Sequence, residues 1–147
     1  MFERLTRDAR AAVHTAVSDA KATGQPTVEA EHLLLALATS PELQSLGLDR
    51  EQLVEALIEE ERQSLSAVGL GAANYQQPRP ASRAQEPRFG ASAKLALQRG
   101  VKLAQLRGGR RFRSQELLGG VLAAEHGRVP RALDLAGINV DELRGSI

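Results

Sequence analysis

Leu5-Thr6-Arg7-Asp8-Ala9-Arg10 decides the fold, because the chain states it a second time as Phe89-Gly90-Ala91-Ser92-Ala93-Lys94, 84 residues on. The offset persists: Ala9 falls on Ala93, Arg10 on Lys94, Val13 on Leu97, Val17 on Val101, Ala20 on Ala104 and Gly24 on Gly108. Leu33-Leu34 falls on Leu117-Leu118. With six extra residues in the second copy, Leu46-Gly47-Leu48 meets Ala136-Gly137-Ile138 and Leu53 meets Leu143. An internal repeat constrains architecture before any local reading, since two copies of one unit bury their apolar faces on each other.

The local signals inside each copy are helical. Thr6 is a suitable N-cap, and Asp8 places an anion in the first turn, where the helix dipole favours it. Ala9, Ala12, Val13, Ala16, Val17 and Ala20 recur at helical spacing until Gly24. A second helix is expected over about 29–39 with Leu33, Leu34 and Leu37 inward, and Pro41 starts a short third one. Asp49 caps a fourth, which carries Leu53, Leu57 and Ile58 and a solvated face of Glu55, Glu59, Glu60 and Glu61. In the second copy helices are expected over about 91–106, from a Ser114 cap to about 124, from Pro130 to Leu135, and from about Asn139. The expected fold is all-α: an eight-helix pseudo-twofold bundle of two four-helix repeats at 1–65 and 89–147, together one domain. Gly69, Gly71, Pro78, Pro80 and Pro87 mark residues 66–88 as a linker.

Composition agrees. The chain of 147 residues is rich in Leu and Ala, and aromatics are only 3%, which favours helix over sheet. There is no Cys, so disulfides and thiolate metal sites are excluded and a reducing, cytoplasmic setting is expected. No run of 18 apolar residues occurs, and Met1-Phe2-Glu3-Arg4 is not the start of a signal peptide. The net charge of +1 hides an imbalance: residues 1–62 hold 6 basic and 12 acidic groups, residues 63–147 hold 13 basic and 6 acidic. The two copies share a pattern but differ in charge, which speaks to partners.

The run Phe2…Leu5-Thr6…Ala9-Arg10…Val13, then Glu31-His32-Leu33-Leu34…Leu37, then Leu46-Gly47-Leu48, resembles the Clp N-terminal repeat. Ala30-Glu31-His32-Leu33-Leu34 stands where the family often has a Thr-Glu-His-Ile-Leu-type motif, and Ser114-Gln115-Glu116-Leu117-Leu118 is a degraded second version. The first copy is most similar to the N-domain of actinobacterial ClpC-type unfoldases. The resemblance implies a non-enzymatic module of the ClpC–ClpP proteolytic system that binds peptides, unfolded clients or adaptors, or docks on the ClpC-type unfoldase itself through its charge asymmetry, without cofactors. The stretch contains no Gly-x-x-x-x-Gly-Lys-Ser/Thr phosphate loop, so a free-standing domain without a motor is expected, serving as adaptor or as decoy.

Four sets of residues are candidates. Phe2, Arg10, Val13, Phe89, Lys94 and Leu97 match the surface that in the family binds peptides and, in actinobacterial members, cyclic peptide antibiotics. Two aromatic anchors flanked by cations suit apolar groups and carbonyls; the plainer alternative is that Phe2 staples the first helix and Phe89 packs in the core. Glu31 matches a carboxylate that in some ClpC-type N-domains receives phosphoarginine, a planar fork of donors. Its counterpart Gln115 is neutral, so at most one such pocket is expected, and the preferred reading makes Glu31 a helix-start acid and His32 a structural histidine. Arg107, Arg110, Arg111 and Arg113 form the densest part of a basic segment from Arg79 to Arg113, with ten basic residues against Glu86 alone. They are candidates for an acidic partner or, as the alternative function, nucleic acid. His14, His32 and His126 form no metal-ligand pair, and no metal or membrane partner is expected.

Overall fold

The structure is a computed structural model that describes residues 2–69 and 86–147, leaving out the side chains of Phe2 and Glu42. Of the expected linker, residues 70–85 lie outside the described residues. A 3-10 turn at Phe2–Arg4 leads into α1 (Arg7–Ala22), β1 (Thr27–Val28), α2 (Ala30–Leu37), α3 (Pro41–Gln44) and α4 (Arg50–Ala67). The second half contains β2 (Arg88–Phe89), α5 (Ala91–Leu106), α6 (Ser114–Leu122), α7 (Arg128–Leu135) and α8 (Val140–Gly145). The fold is of the all-α class, with only two two-residue strands among the described residues, and eight α-helices are counted there only when the single turn α3 is included.

The repeat is visible in the backbone. β1 pairs parallel with β2, Val28 opposite Phe89, and an isolated parallel bridge joins Leu5 to Phe112. Adding 84 to Leu5 gives position 89, and adding 84 to Val28 gives position 112. The two bridges are therefore equivalent pairs, each tying the start of one copy to the helix-connecting loop of the other. The same hydrogen bond serves both: the Gly90 N–H donates to the Val28 carbonyl at 2.9 Å, and the Thr6 N–H to the Phe112 carbonyl at 3.0 Å. Strands of two residues are too short to leave an alternating pattern, so sequence reading finds no strand here.

Caps explain where the helices begin. The Thr6 hydroxyl accepts from the Ala9 N–H at 3.4 Å and the Asp49 carboxylate from the Glu51 N–H at 3.0 Å. The expectation for Ser114 needs correction. Arg113 has the extended backbone ahead of α6, and Ser114 is the first helical residue, 2% exposed. The cap bond comes instead from Glu116, whose carboxylate accepts the Arg113 N–H at 2.7 Å. Gly24 and Gly108 end α1 and α5 with φ of 71° and 78°, a left-handed conformation that a Cβ disfavours.

One apolar core runs through both halves, including Leu33, Leu34 and Leu37 from the first and Leu97, Leu117 and Leu118 from the second. In the second half, α5 and α6 meet through glycine: a Cβ on Gly120 would lie 2.1 Å from the Ala96 carbonyl oxygen. The expectation for α4 is also corrected, at one residue of the solvated face and at one of the apolar set. Glu60 is 4% exposed whereas Ile58 points outward. Glu60 is inside because α7 packs there and offers it two arginines.

Candidate functional site

Arg10, Val13 and Phe89 line one groove of about 460 Å³, together with Leu5, His14 and Val17 and the carboxylates Glu3 and Glu86. The β1–β2 pair positions Phe89. Its neighbours Arg88 and Gly90 both donate to the β1 segment, to Pro26 at 3.1 Å and Val28 at 2.9 Å. The ring is half-buried and packs against the core while also lining the groove. Arg10 and Val13 follow one another on α1, Val13 buried and Arg10 exposed. Lys94 is exposed and Leu97 buried on α5, and neither lines this groove. The Phe2 side chain lies outside the described residues. The two copies differ at the aromatic position itself: Leu5, the counterpart of Phe89, is 2% exposed, so its side chain is core.

Two further grooves occupy equivalent places in the two copies. The first, about 650 Å³, is lined by Asp19, Ala22, Glu31, His32, Leu35 and Leu57 among others. The second, about 540 Å³, is lined by Leu103, Leu106, Gln115, Glu116, Gly119 and Ile147 among others. The offset of 84 carries the first five onto the second set, and the later offset of 90 carries Leu57 onto Ile147. One backbone site thus occurs twice with different side chains.

In the first groove the charges are matched internally. The Arg128 guanidinium, from α7 in the other copy, donates to Glu31 at 3.2 Å, to Glu60 at 3.1 Å and to the Leu57 carbonyl at 3.3 Å. Glu61 lies 3.6 Å from it. Arg131 adds a bond to Glu60 at 2.9 Å, and Ser64 another at 2.8 Å. Burial pushes the Glu60 carboxyl up, but the bonds from Ser64 and Arg131 and the charges of Arg131 and Arg128 outweigh it and hold it below the usual range. Arg50 bridges the Leu35 carbonyl and Asp19. Glu31, the candidate phosphoarginine acceptor, therefore has a guanidinium of its own chain beside it.

His32 caps α2. Its Nδ1 accepts the Glu29 N–H at 2.8 Å, so the neutral ring is required. Burial lowers its pKa, and the Arg128 charge lowers it further against the opposing pull of Glu31, Glu29 and Asp19. Glu116, its counterpart, performs the same duty for Arg113 with a carboxylate.

The basic segment divides. Arg107 and Arg113 close on the buried Glu116, with Nε of Arg107 at 2.7 Å and Nη2 of Arg113 at 2.6 Å. Burial raises the Glu116 pKa, but the side-chain and backbone bonds from Arg113, its charge and the Arg107 bond hold it down. Arg110 and Arg111 are exposed. Phe112, the aromatic residue that would stack a base, is 2% exposed and belongs to the core. Among the described residues no cluster of His, Asp and Glu could hold a metal ion, and no helix is long and apolar enough to cross a membrane.

The family model of the Clp repeat N-terminal domain matches residues 4–134. Comparison with curated proteins finds no match. Among solved structures, the chain is similar to the N-terminal domain of the chaperone ClpD from Arabidopsis thaliana, at 23% identity and TM-score 0.73, covering 99% of this chain and 93% of that one. It is similar to the Hsp104 N-terminal domain from Candida albicans, at 19% identity and TM-score 0.67, covering 96% and 87%. It is also similar to a ClpV N-domain solved in complex with a VipB peptide, at 20% identity and TM-score 0.58, covering 97% and 84%. At these identities the likeness is one of fold; the narrower resemblance to actinobacterial ClpC rests on the sequence motifs alone.

Proposed function

Because the chain belongs to the Clp repeat N-terminal domain family, we propose that it is a non-enzymatic module that binds peptide segments of clients or adaptors in the groove beside Phe89. The observation that carries this reading is the meeting of Arg10, Val13 and Phe89 on one groove. A half-buried ring held by paired backbone is a pre-organised apolar anchor, and an adjacent guanidinium donates to peptide carbonyls or carboxylates. The ClpV N-domain captured with a VipB peptide supports peptide recognition as something this fold accommodates. In the ClpC–ClpP system such a module delivers clients as an adaptor, or sequesters ligands, cyclic peptide antibiotics included, as a decoy.

Titration calorimetry with a cyclic peptide ligand of actinobacterial ClpC N-domains tests the groove. Phe89→Ala is expected to weaken binding by about 1–3 kcal/mol, the range of an aromatic hot spot, and Phe2→Ala is expected to act in the same direction. Unchanged affinity in Phe89→Ala, with helical circular dichroism intact, would refute the assignment.

A further inference from the structure

We propose that the groove walled by α5, α6 and the end of α8 is a second docking site, independent of the Phe89 groove, for an acidic peptide segment of a partner protein that carries leucine-like side chains. Its apolar surface is large for a solvent-facing position. Leu103, Leu106 and Ile147 are 39%, 77% and 41% exposed. They are three of the seven large apolar residues left exposed among the described residues, gathered on one groove of about 540 Å³. Clustering of this kind, in a concave place, is what scattered exposed apolar residues do not show.

The opening has a structural origin. Gly119 stands where the first copy has Leu35. A Cβ on Gly119 would meet Cδ1 of Leu103 at 2.7 Å, so the glycine makes the room in which Leu103 lies. In the first copy the position of Leu103 is Asp19, which Arg50 engages.

Charge selects the occupant. Arg99, Lys102, Arg107, Arg113 and Arg144 line this groove against a single acidic side chain, Glu116. Arg107 and Arg113 already neutralise Glu116. Among the described residues Arg99 and Lys102 have no ion-pair partner, and the acid facing Arg144, Asp141, is exposed and 3.9 Å away. A cationic ligand is repelled here, and Gln115 offers no carboxylate to a guanidinium. A ligand with carboxylates beside apolar side chains satisfies both the rim and the floor. A peptide fits better than a flat lipid surface because the apolar residues line a concavity. It fits better than nucleic acid because Phe112, the one aromatic residue between Arg107 and Arg113, is buried.

Fluorescence anisotropy of the full chain tests this with a labelled twelve-residue probe of glutamates and two leucines. One control peptide has serine for leucine, a second has lysine for glutamate. The expected result is saturable binding of the first peptide, at least about tenfold weaker for either control. Lys102→Glu and Leu106→Ser are each expected to weaken binding by about tenfold. Both side chains are exposed, so circular dichroism and melting temperature should not move. Cyclic-peptide affinity at the Phe89 groove should stay unchanged in both variants, and Phe89→Ala should leave the acidic peptide bound, which separates failure of this proposal from failure of the one above. Equal binding of the leucine and serine peptides would overturn it, as would wild-type affinity in both variants. Displacement of the probe by oligo-dT or anionic vesicles, but not by unlabelled peptide, would assign the rim to phosphate instead. Self-association in sedimentation that disappears in Leu106→Ser and in Ile58→Asp would assign the groove to the acidic α4 face of a second copy.

Discussion

The two equivalent grooves have been put to opposite uses by the same backbone. In the first, an arginine from the other copy enters and three carboxylates converge on it, with Arg128 linking α7 to Glu31, Glu60 and Glu61. That groove is a fastening between halves. In the second, the arginines come from α5, α8 and the loop that joins α5 to α6, the one buried acid is closed off by the two loop arginines, and leucines stand where the first copy has Asp19 and Ala22. That groove is left facing outward.

Replacing Gly120 by alanine should break the comparison most severely. The new Cβ would meet the Ala96 carbonyl at 2.1 Å and the Gly100 nitrogen at 2.8 Å, backbone atoms that cannot turn aside, so a loss of about 3 kcal/mol is expected. The reverse change at the equivalent position, Ala36→Gly, should cost only about 1 kcal/mol through helix propensity. Urea denaturation of both variants measures the contrast; small, equal losses would mean that the copies pack alike.

Next in size is the fastening itself. Arg128→Ala strands Glu31 and the buried Glu60, although Arg131 still reaches Glu60, and a loss of about 2 kcal/mol is expected. Arg128→Lys should recover only part of it, because an ammonium cannot match the forked contacts. Arg107→Ala, which leaves Arg113 on Glu116, should cost about 1 kcal/mol or less. A thermal melt of Arg128→Ala superimposable on wild type would remove the ionic fastening from the account.

The smallest difference lies at the caps. His32 must be neutral to accept the Glu29 N–H, and its pKa is lowered in the fold from 6.5. The unfolded chain therefore binds a proton more readily than the folded one, so this contribution is complete above pH 6.5 and falls away as pH drops through the depressed value. A loss of about 1 kcal/mol or less is expected on going to pH 5. His32→Gln, which keeps an acceptor but does not titrate, should flatten that part of the pH profile. A wild-type stability that does not fall between pH 7 and 5 relative to the variant would refute the cap as a titrating element.

Much of this was legible beforehand. The offset of 84 foretells that whatever joins Val28 to Phe89 must also join Leu5 to Phe112, since one rotation relates the pairs. Thr6 and Asp49 announce their helices because a short side-chain oxygen has few other uses ahead of an apolar run. Ser114 misled for the same reason: the serine is there, but a carboxylate three residues past the true cap does the work. Arg10, Val13 and Phe89 do share a groove, whereas Lys94 and Leu97 are paired with Arg10 and Val13 only by the repeat and do not line it. The second groove left almost no trace. Arg99, Lys102, Leu103 and Leu106 have the spacing of an ordinary amphipathic helix, and nothing in α5 foretells that Gly119 opens the wall opposite or that Arg144 and Ile147 complete it.

The sequence alone determined that there are two helical copies, where α1 and α4 start, and that the charges of the copies differ, because periodicity, caps and composition are local properties of a chain. Only the tertiary structure decided which charges cancel. Arg128 and Glu31 lie 97 residues apart, and a charge has no meaning for binding until its nearest neighbour in space, rather than in sequence, is known.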